Sequence, residues 1–203
     1  MGQLVDIIFH NDGWKSWIEC SFCAICPGSK GKGCCCYKPL FLPRDLGYLR
    51  VEHPEVLAAI LQLRPLTILA SSVTVENRPG EDGTMFCRFH SDRGCTLPIG
   101  CREYICRRFV CNRIPLWQQP GAEKWKLFFV EMEAREAALN AALNEELRAA
   151  GADLRKDREH YLAILEQAFH RHYPQSQDWF SQYPKEERFS LEVDSSDWQE
   201  WAK

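Results

Sequence analysis

The chain has 203 residues, 45% of them hydrophobic, with seven Trp and eleven Phe, enough for one or two domains with a buried core and too apolar for a globally disordered protein. Its formal net charge of −3 argues against a whole-protein nucleic-acid or membrane-surface binder. No stretch approaches the roughly 18 apolar residues of a membrane span.

The N-terminal MGQLVDIIFHNDGW holds a short apolar run interrupted by Asp6. It has no basic start and no small-residue cleavage site, so it does not read as a signal peptide. The expectation is a cytoplasmic protein, in a compartment where disulfides are uncommon.

Cysteine then dominates. Six of the eleven cysteines fall between residues 20 and 36 (Cys20, Cys23, Cys26, Cys34, Cys35 and Cys36), and five more between 87 and 111 (Cys87, Cys95, Cys101, Cys106 and Cys111). Cysteine is a small hydrophobe that a core does not need in such density, and clustered thiols are an oxidation hazard. An odd number excludes complete internal pairing, and the adjacent Cys34–Cys36 suit disulfide geometry poorly. Redox catalysis needs one reactive C-x2-C on a thioredoxin-like βαβ unit, which the pattern lacks. Metal binding remains.

Between the clusters, DLGYLR reads as a turn of helix and HPEVLAAILQL as a short amphipathic helix, opened by Pro54 and ended by Pro65. LTILASSVTVEN, the turn-forming RPGEDG and TMFCRFH predict a β-hairpin, 66–77 paired with 84–90. GCREYICRRF predicts a short helix carrying Cys101 and Cys106. From Ala122 to Ala150, Trp125, Phe128, Phe129, Met132, Leu139, Leu143 and Leu147 recur at three- and four-residue steps. They predict a long amphipathic helix whose stripe is broken at Arg135 and Glu136. Gly151 stops it, and Leu154, Tyr161, Leu162, Leu165 and Phe169 predict a second helix ending before Pro174. Residues 174–203 read as a polar tail, packed loosely or partly disordered, with Trp179, Trp198 and Trp201 scattered through it.

The expected fold class is thus α+β. A metal-stapled cysteine-rich module with a β-hairpin (1–113) carries a C-terminal antiparallel helical hairpin (114–173) and the tail (174–203).

Charge follows the cysteines. Residues 20–113 hold 13 Lys+Arg against 8 Asp+Glu, and residues 114–203 hold 11 against 17. Four thiolates around Zn²⁺ or a [4Fe–4S]²⁺ core leave a charge of about −2, which cations and amides must offset. Lys30, Lys32, Arg88, Arg107 and Arg108 are candidates by sequence position. A zinc-type nucleic-acid module is the competing explanation, disfavoured because the excess falls short of a strongly basic domain.

Cys20-x2-Cys23-x2-Cys26 forms two overlapping C-x2-C units, each able to place two sulfurs on one metal. The glycine-rich PGSKGKG that follows can fold back to bring Cys34–Cys36 beside them. Ferredoxin-type runs would put a fourth cysteine where Lys30 stands. Zinc tolerates ligands from distant segments, and eleven cysteines could fill two four-sulfur sites. Thiolate softness selects zinc or iron–sulfur without separating them; zinc is preferred as an occupant that contributes folding energy outright.

The order C-x2-C-x2-C, then CC, Cys87, Cys95 and the Cys106-Arg-Arg-Phe element resembles the YkgJ-type family of zinc- or iron-chelating cysteine-cluster proteins. The resemblance spans about residues 20–111. It implies a metal-ligand set carried here by Cys20, Cys23, Cys26, Cys34 or Cys35, Cys87, Cys95 and Cys106. Pro27 stands where the family hallmark has a cysteine adjacent to Cys26, and CREYIC, with Cys101 extra, replaces the family's Arg-Pro before its last cysteine. Some relatives are flagellin lysine methylases; this chain is short for that architecture and has no glycine-rich nucleotide-binding strand–loop–helix.

Other groups are weaker. GSKGKG lacks the phosphate-cradle pattern. His90 follows Cys87 by three residues, as a zinc ligand or a hydrogen-bonded structural histidine, and His10, His53, His160, His170 and His172 form no H-E-x2-H set. Glu103 could act as general base to a metal-bound water, a solvated glutamate being the simpler reading. The expected function is chelation of zinc or iron, an iron–sulfur centre included. A metalloenzyme or a zinc-type nucleic-acid module are the alternatives, and a protein partner and the oligomeric state are left open.

Overall fold

The computed structural model describes residues 2–24, 37–80, 83, 85–91, 94–111, 114–173 and 179–194, with Cys23 and Ala24 by backbone alone. The protein is mixed α and β, with small antiparallel sheets and, among the described residues, five α-helices, as an α+β class requires. Two compact units divide the chain: Met1–Tyr37, Phe89–Val130 and Gln177–Lys203 form the first, Lys38–Arg88 and Glu131–Ser176 the second.

The first unit is built on a strand the sequence reading did not assign. β1 (Gly2–His10) alternates Val5, Ile7 and Phe9, all fully buried, with more exposed residues, the period of a half-buried strand. It is the middle strand of a three-stranded antiparallel sheet, between β2 (Trp17–Cys20) and β10 (Glu186–Asp194). β10 lies in the segment read as a polar tail, and this corrects that reading. The strand pairs with β1 along its whole length, Val5 opposite Leu191 and Ile7 opposite Phe189, and Leu191 and Val193 are buried.

An aromatic core covers this sheet. The Phe9 ring stacks on Trp125 at 4.8 Å and meets Phe189 edge-on at 5.5 Å, while Phe128 stacks on Trp179 at 5.1 Å. Such pairs contribute about 0.5–1.5 kcal/mol each beyond their buried area. Buried Asn11 fixes the returning chain, its side-chain amide donating to the carbonyls of Phe180 (2.7 Å) and Tyr183 (3.2 Å). Trp179, expected in a loose tail, is half-buried and stacks on the core ring of Phe128.

In the second unit the expected 66–77/84–90 hairpin is replaced by two shorter ones. β4 (Leu66–Ile68) turns back on β5 (Val73–Val75), and β6 (Arg78–Pro79) pairs with β7 (Met85–Phe86). β3 (Leu40–Phe41) completes the first sheet in the order β3-β5-β4. The apolar run breaks at Ala70-Ser71-Ser72, where Leu69 N–H donates to the Ser72 carbonyl (2.9 Å). Serine favours such turns. The turn's other carbonyls are held as well, Ala70 by the Leu154 amide (2.9 Å) and Ser71 by the Tyr161 hydroxyl (3.2 Å).

Helices α1 (Pro43–Glu52) and α2 (Pro54–Gln62) each open on a proline whose missing N–H is no loss there. Both helices of the expected C-terminal pair are present: α4 (Glu123–Ala149), whose residues from Glu131 on belong to this unit, and α5 (Arg158–His172). α4 stops before Gly151, which takes the left-handed conformation (φ +65°). α5 starts at Arg158 rather than Leu154, because the Asp157 carboxylate caps the His160 amide at 3.0 Å.

α5 packs on α1 at Gly47, where an added Cβ would lie 2.5 Å from Phe169 Cδ2. A Gly47→Val protein is expected to lose about 1–3 kcal/mol through this overpacking. Urea denaturation measures it; an unchanged midpoint would contradict the close approach.

The unit also buries a charge cluster. Arg44 Nη1 donates to Asp45 Oδ1 (2.9 Å) and Nη2 to Glu136 Oε1 (3.3 Å), all three side chains being buried. Burial alone would lower the Arg44 pKa; the carboxylates of Glu136 and Asp45 outweigh it and hold the guanidinium well above its ordinary value. Among the described residues, no helix is long and apolar enough to cross a membrane.

Candidate metal centre

Cys20 ends β2, half-buried and opposite Ile7 of β1. The chain then makes a 3₁₀ turn, Ser21–Ala24, pinned to β1 by the Asp6 amide donating to Ser21 Oγ at 2.9 Å. Cys23 lies on this turn. Cys26, Cys34, Cys35 and Cys36 lie outside the described residues, as do Lys30 and Lys32.

Tyr37 follows Cys36 in sequence. Burial, then the negative charges of Glu103 and Cys106, push the Tyr37 phenol above its ordinary pKa.

That helix, α3 (Tyr104–Arg108), is shorter than GCREYICRRF predicts; Cys101 ends a separate 3₁₀ turn, Ile99–Cys101. The break falls at Glu103, the N-cap. Its buried carboxylate accepts from the amides of Ile105 (2.8 Å) and Cys106 (3.1 Å). The solvated glutamate expected from sequence is thus a buried capping group, with both oxygens engaged by backbone rather than offered as a general base.

α3 packs against β2. Arg107, fully buried, holds it there: Nη1 donates to the carbonyls of Trp14 (3.0 Å) and Ser16 (2.9 Å), and Nε to that of Arg102 (3.1 Å). Arg102 in turn grips the hairpin of β8 (His90–Ser91) and β9 (Gly94–Cys95), where Cys95 lies opposite His90. Its Nε donates to the Leu97 carbonyl (3.1 Å) and its Nη2 to that of Cys95 (3.5 Å). Two arginines thereby tie together the segments bearing Cys20, Cys95 and Cys106.

Sequence reasoning ranked Arg107 and Arg108 as counter-charges to thiolates and missed this role for Arg102 and Arg107. No sequence signal distinguishes an arginine that binds carbonyls from one that faces a metal site. Arg108 instead lies 3.7 Å above the Tyr104 ring, and Arg88 Nε donates to the Glu76 carbonyl at 3.1 Å.

Accessibility sorts the later cysteines. Cys106 is exposed, Cys95 and Cys111 are half-buried, and Cys101 is buried. Cys87 is buried and belongs to the second unit, whereas His90, three residues on, belongs to the first. Among the described residues, no three His, Cys, Asp or Glu side chains gather closely enough to hold a metal ion. No protein-family model matches the chain, and neither the curated proteins nor the solved structures compared with it give a match.

Proposed function

We propose that this protein binds zinc or iron, an iron–sulfur cluster included, through thiolates from both cysteine groups. Cys20, Cys23, Cys26, Cys34 or Cys35, Cys87, Cys95 and Cys106 are the ligands in this reading. The likeness to YkgJ-type proteins rests on the same residues and is part of the proposal.

One observation supports it above the rest: Cys20, the first cysteine of the early group, ends the strand against which α3, the helix carrying Cys106, packs. The donor set fits the metals named, since soft thiolates favour zinc and iron–sulfur over magnesium or calcium. The exposed Cys106 and half-buried Cys20 and Cys95 are more open to a metal than a core cysteine would be. A bound metal would supply folding energy of its own. The chain's own contribution is to fix the ligands' backbones through Arg102, Arg107 and the Glu103 cap.

Elemental analysis with a visible spectrum, on protein purified without oxygen, tests this. About two metal equivalents or an iron–sulfur absorbance are expected, because eleven cysteines can furnish two four-sulfur sites. Cys106→Ser and Cys95→Ser should each lower the metal content and the melting temperature. Folded, colourless protein without metal would overturn the reading.

A further inference from the structure

On the first unit, where α3 runs out, the surface carries a depression of about 360 Å³ that uses no cysteine. Phe109 and Val110 follow α3, Trp117 comes from the short turn before α4, and Phe129 and Val130 come from the first turns of α4. Ile18 of β2 forms part of its lining. Much of this apolar wall faces water: Phe109 is 49% exposed, Val130 56% and Trp117 37%. Leu127, three residues before Val130 on the same helix face and also 56% exposed, carries the apolar strip beyond the depression. Contiguous exposed apolar surface of this kind marks an interaction site, and Trp and Arg are the side chains that most often dominate one.

Charge indicates what fits. The charged residues lining the depression are Arg108 and Lys126, with no carboxylate among them. Yet the whole chain is acidic, at −3. The arrangement, apolar walls with two lining cations, is complementary to an acidic segment bearing a large apolar side chain. Basic and neutral partners lack that complementarity. The depression has room for an anchoring aromatic, and the strip continuing over Leu127 suits a chain longer than a small molecule.

We infer that the groove between the end of α3 and the start of α4 docks an acidic peptide segment of a partner protein, its apolar anchor among Phe109, Trp117 and Val130 and its carboxylates toward Arg108 and Lys126. The inference is independent of metal binding, since none of its residues is a proposed ligand.

A library of random twelve-residue peptides displayed on phage, selected against the full chain, tests it. Selected peptides should combine Asp or Glu with an aromatic or aliphatic anchor and weaken as salt rises. As synthetic peptides they should bind roughly tenfold or more weakly to Lys126→Glu and to Val130→Asp, the size of effect expected at the centre of an interface. Both substitutions are at exposed positions, and circular dichroism verifies that the variants keep the native fold. Peptides without acidic residues, equal binding to both variants, or no enrichment would overturn the inference. So would concentration-dependent self-association of the full chain that Val130→Asp abolishes, which would make a second copy the occupant.

Discussion

A chain ended at Lys185 is expected to lose the fold of its first unit. β10 supplies one whole side of the sheet, paired with β1 from Gly2 opposite Asp194 to His10 opposite Glu186. Its removal exposes the surfaces under Leu191 and Val193, each worth about 1.5–3 kcal/mol. It also takes away Glu187, which accepts from the Trp125 indole and pairs with Lys124. β1 would become an open edge strand with Val5, Ile7 and Phe9 buried on one side only. Against a total stability of about 5–15 kcal/mol, such losses are decisive. Far-UV circular dichroism and hydrogen exchange of the β1 amides measure the outcome. A shortened chain that melts with the full one and protects those amides equally would show β10 to be dispensable.

That strand was legible, and it was hidden by reading its segment through composition. EERFSLEVD is mostly polar, yet Phe189, Leu191 and Val193 alternate with charged or hydroxyl residues at period two. In β1 burial alternates at Val5, Ile7 and Phe9, but Leu4 and Ile8 are apolar as well, so its sequence shows the period less plainly. What no local pattern states is that the two ends of the chain pair with each other; that link is fixed by the aromatic core formed by Phe9, Trp125 and Phe189.

The long helix was the most legible element, since Trp125, Phe128, Phe129, Met132, Leu139, Leu143 and Leu147 are all buried at helical spacing. Its apparent interruption has two separate causes. Arg135 faces solvent and pairs with Glu131, whereas Glu136 stays in the buried stripe because Arg44, far away in sequence, meets it there. Buried ion pairs between distant residues leave no local signature. The short hairpins were misjudged for a related reason. LTILASSVTVEN is β-branched and apolar on either side of Ser71-Ser72, so the short turn signal is easily passed over, and the hydrogen bonds of Leu154 and Tyr161 hold the chain there. As for the candidate centre, cysteine spacing indicates the donors and their softness. It is silent on the arginine bonds that position their backbones.

Arg107→Ala should therefore cost more than any other single change near α3, about 3–5 kcal/mol, since a buried charged group loses three hydrogen bonds to carbonyls. The substitution removes all three donors at once and leaves the carbonyls of Arg102, Trp14 and Ser16 without them in a buried setting. The α3 end of the fold should loosen first, so amide exchange at Ile105 and Cys106 should rise even where the global melt is only shifted. Arg107→Lys separates charge from geometry: it keeps the cation but not the planar fork, and should recover only part of the loss. Arg108→Ala is the contrast, because a partly exposed guanidinium over the Tyr104 ring contributes about 0.5–1 kcal/mol. If metal binding depends on the arginine ties, Arg107→Ala should also lower the metal content, while Arg108→Ala leaves it near that of the unaltered protein. Equal stabilities for the two alanine variants in urea would remove Arg107 as the anchor of α3, and with it the tie between α3 and the segment leading to Cys20.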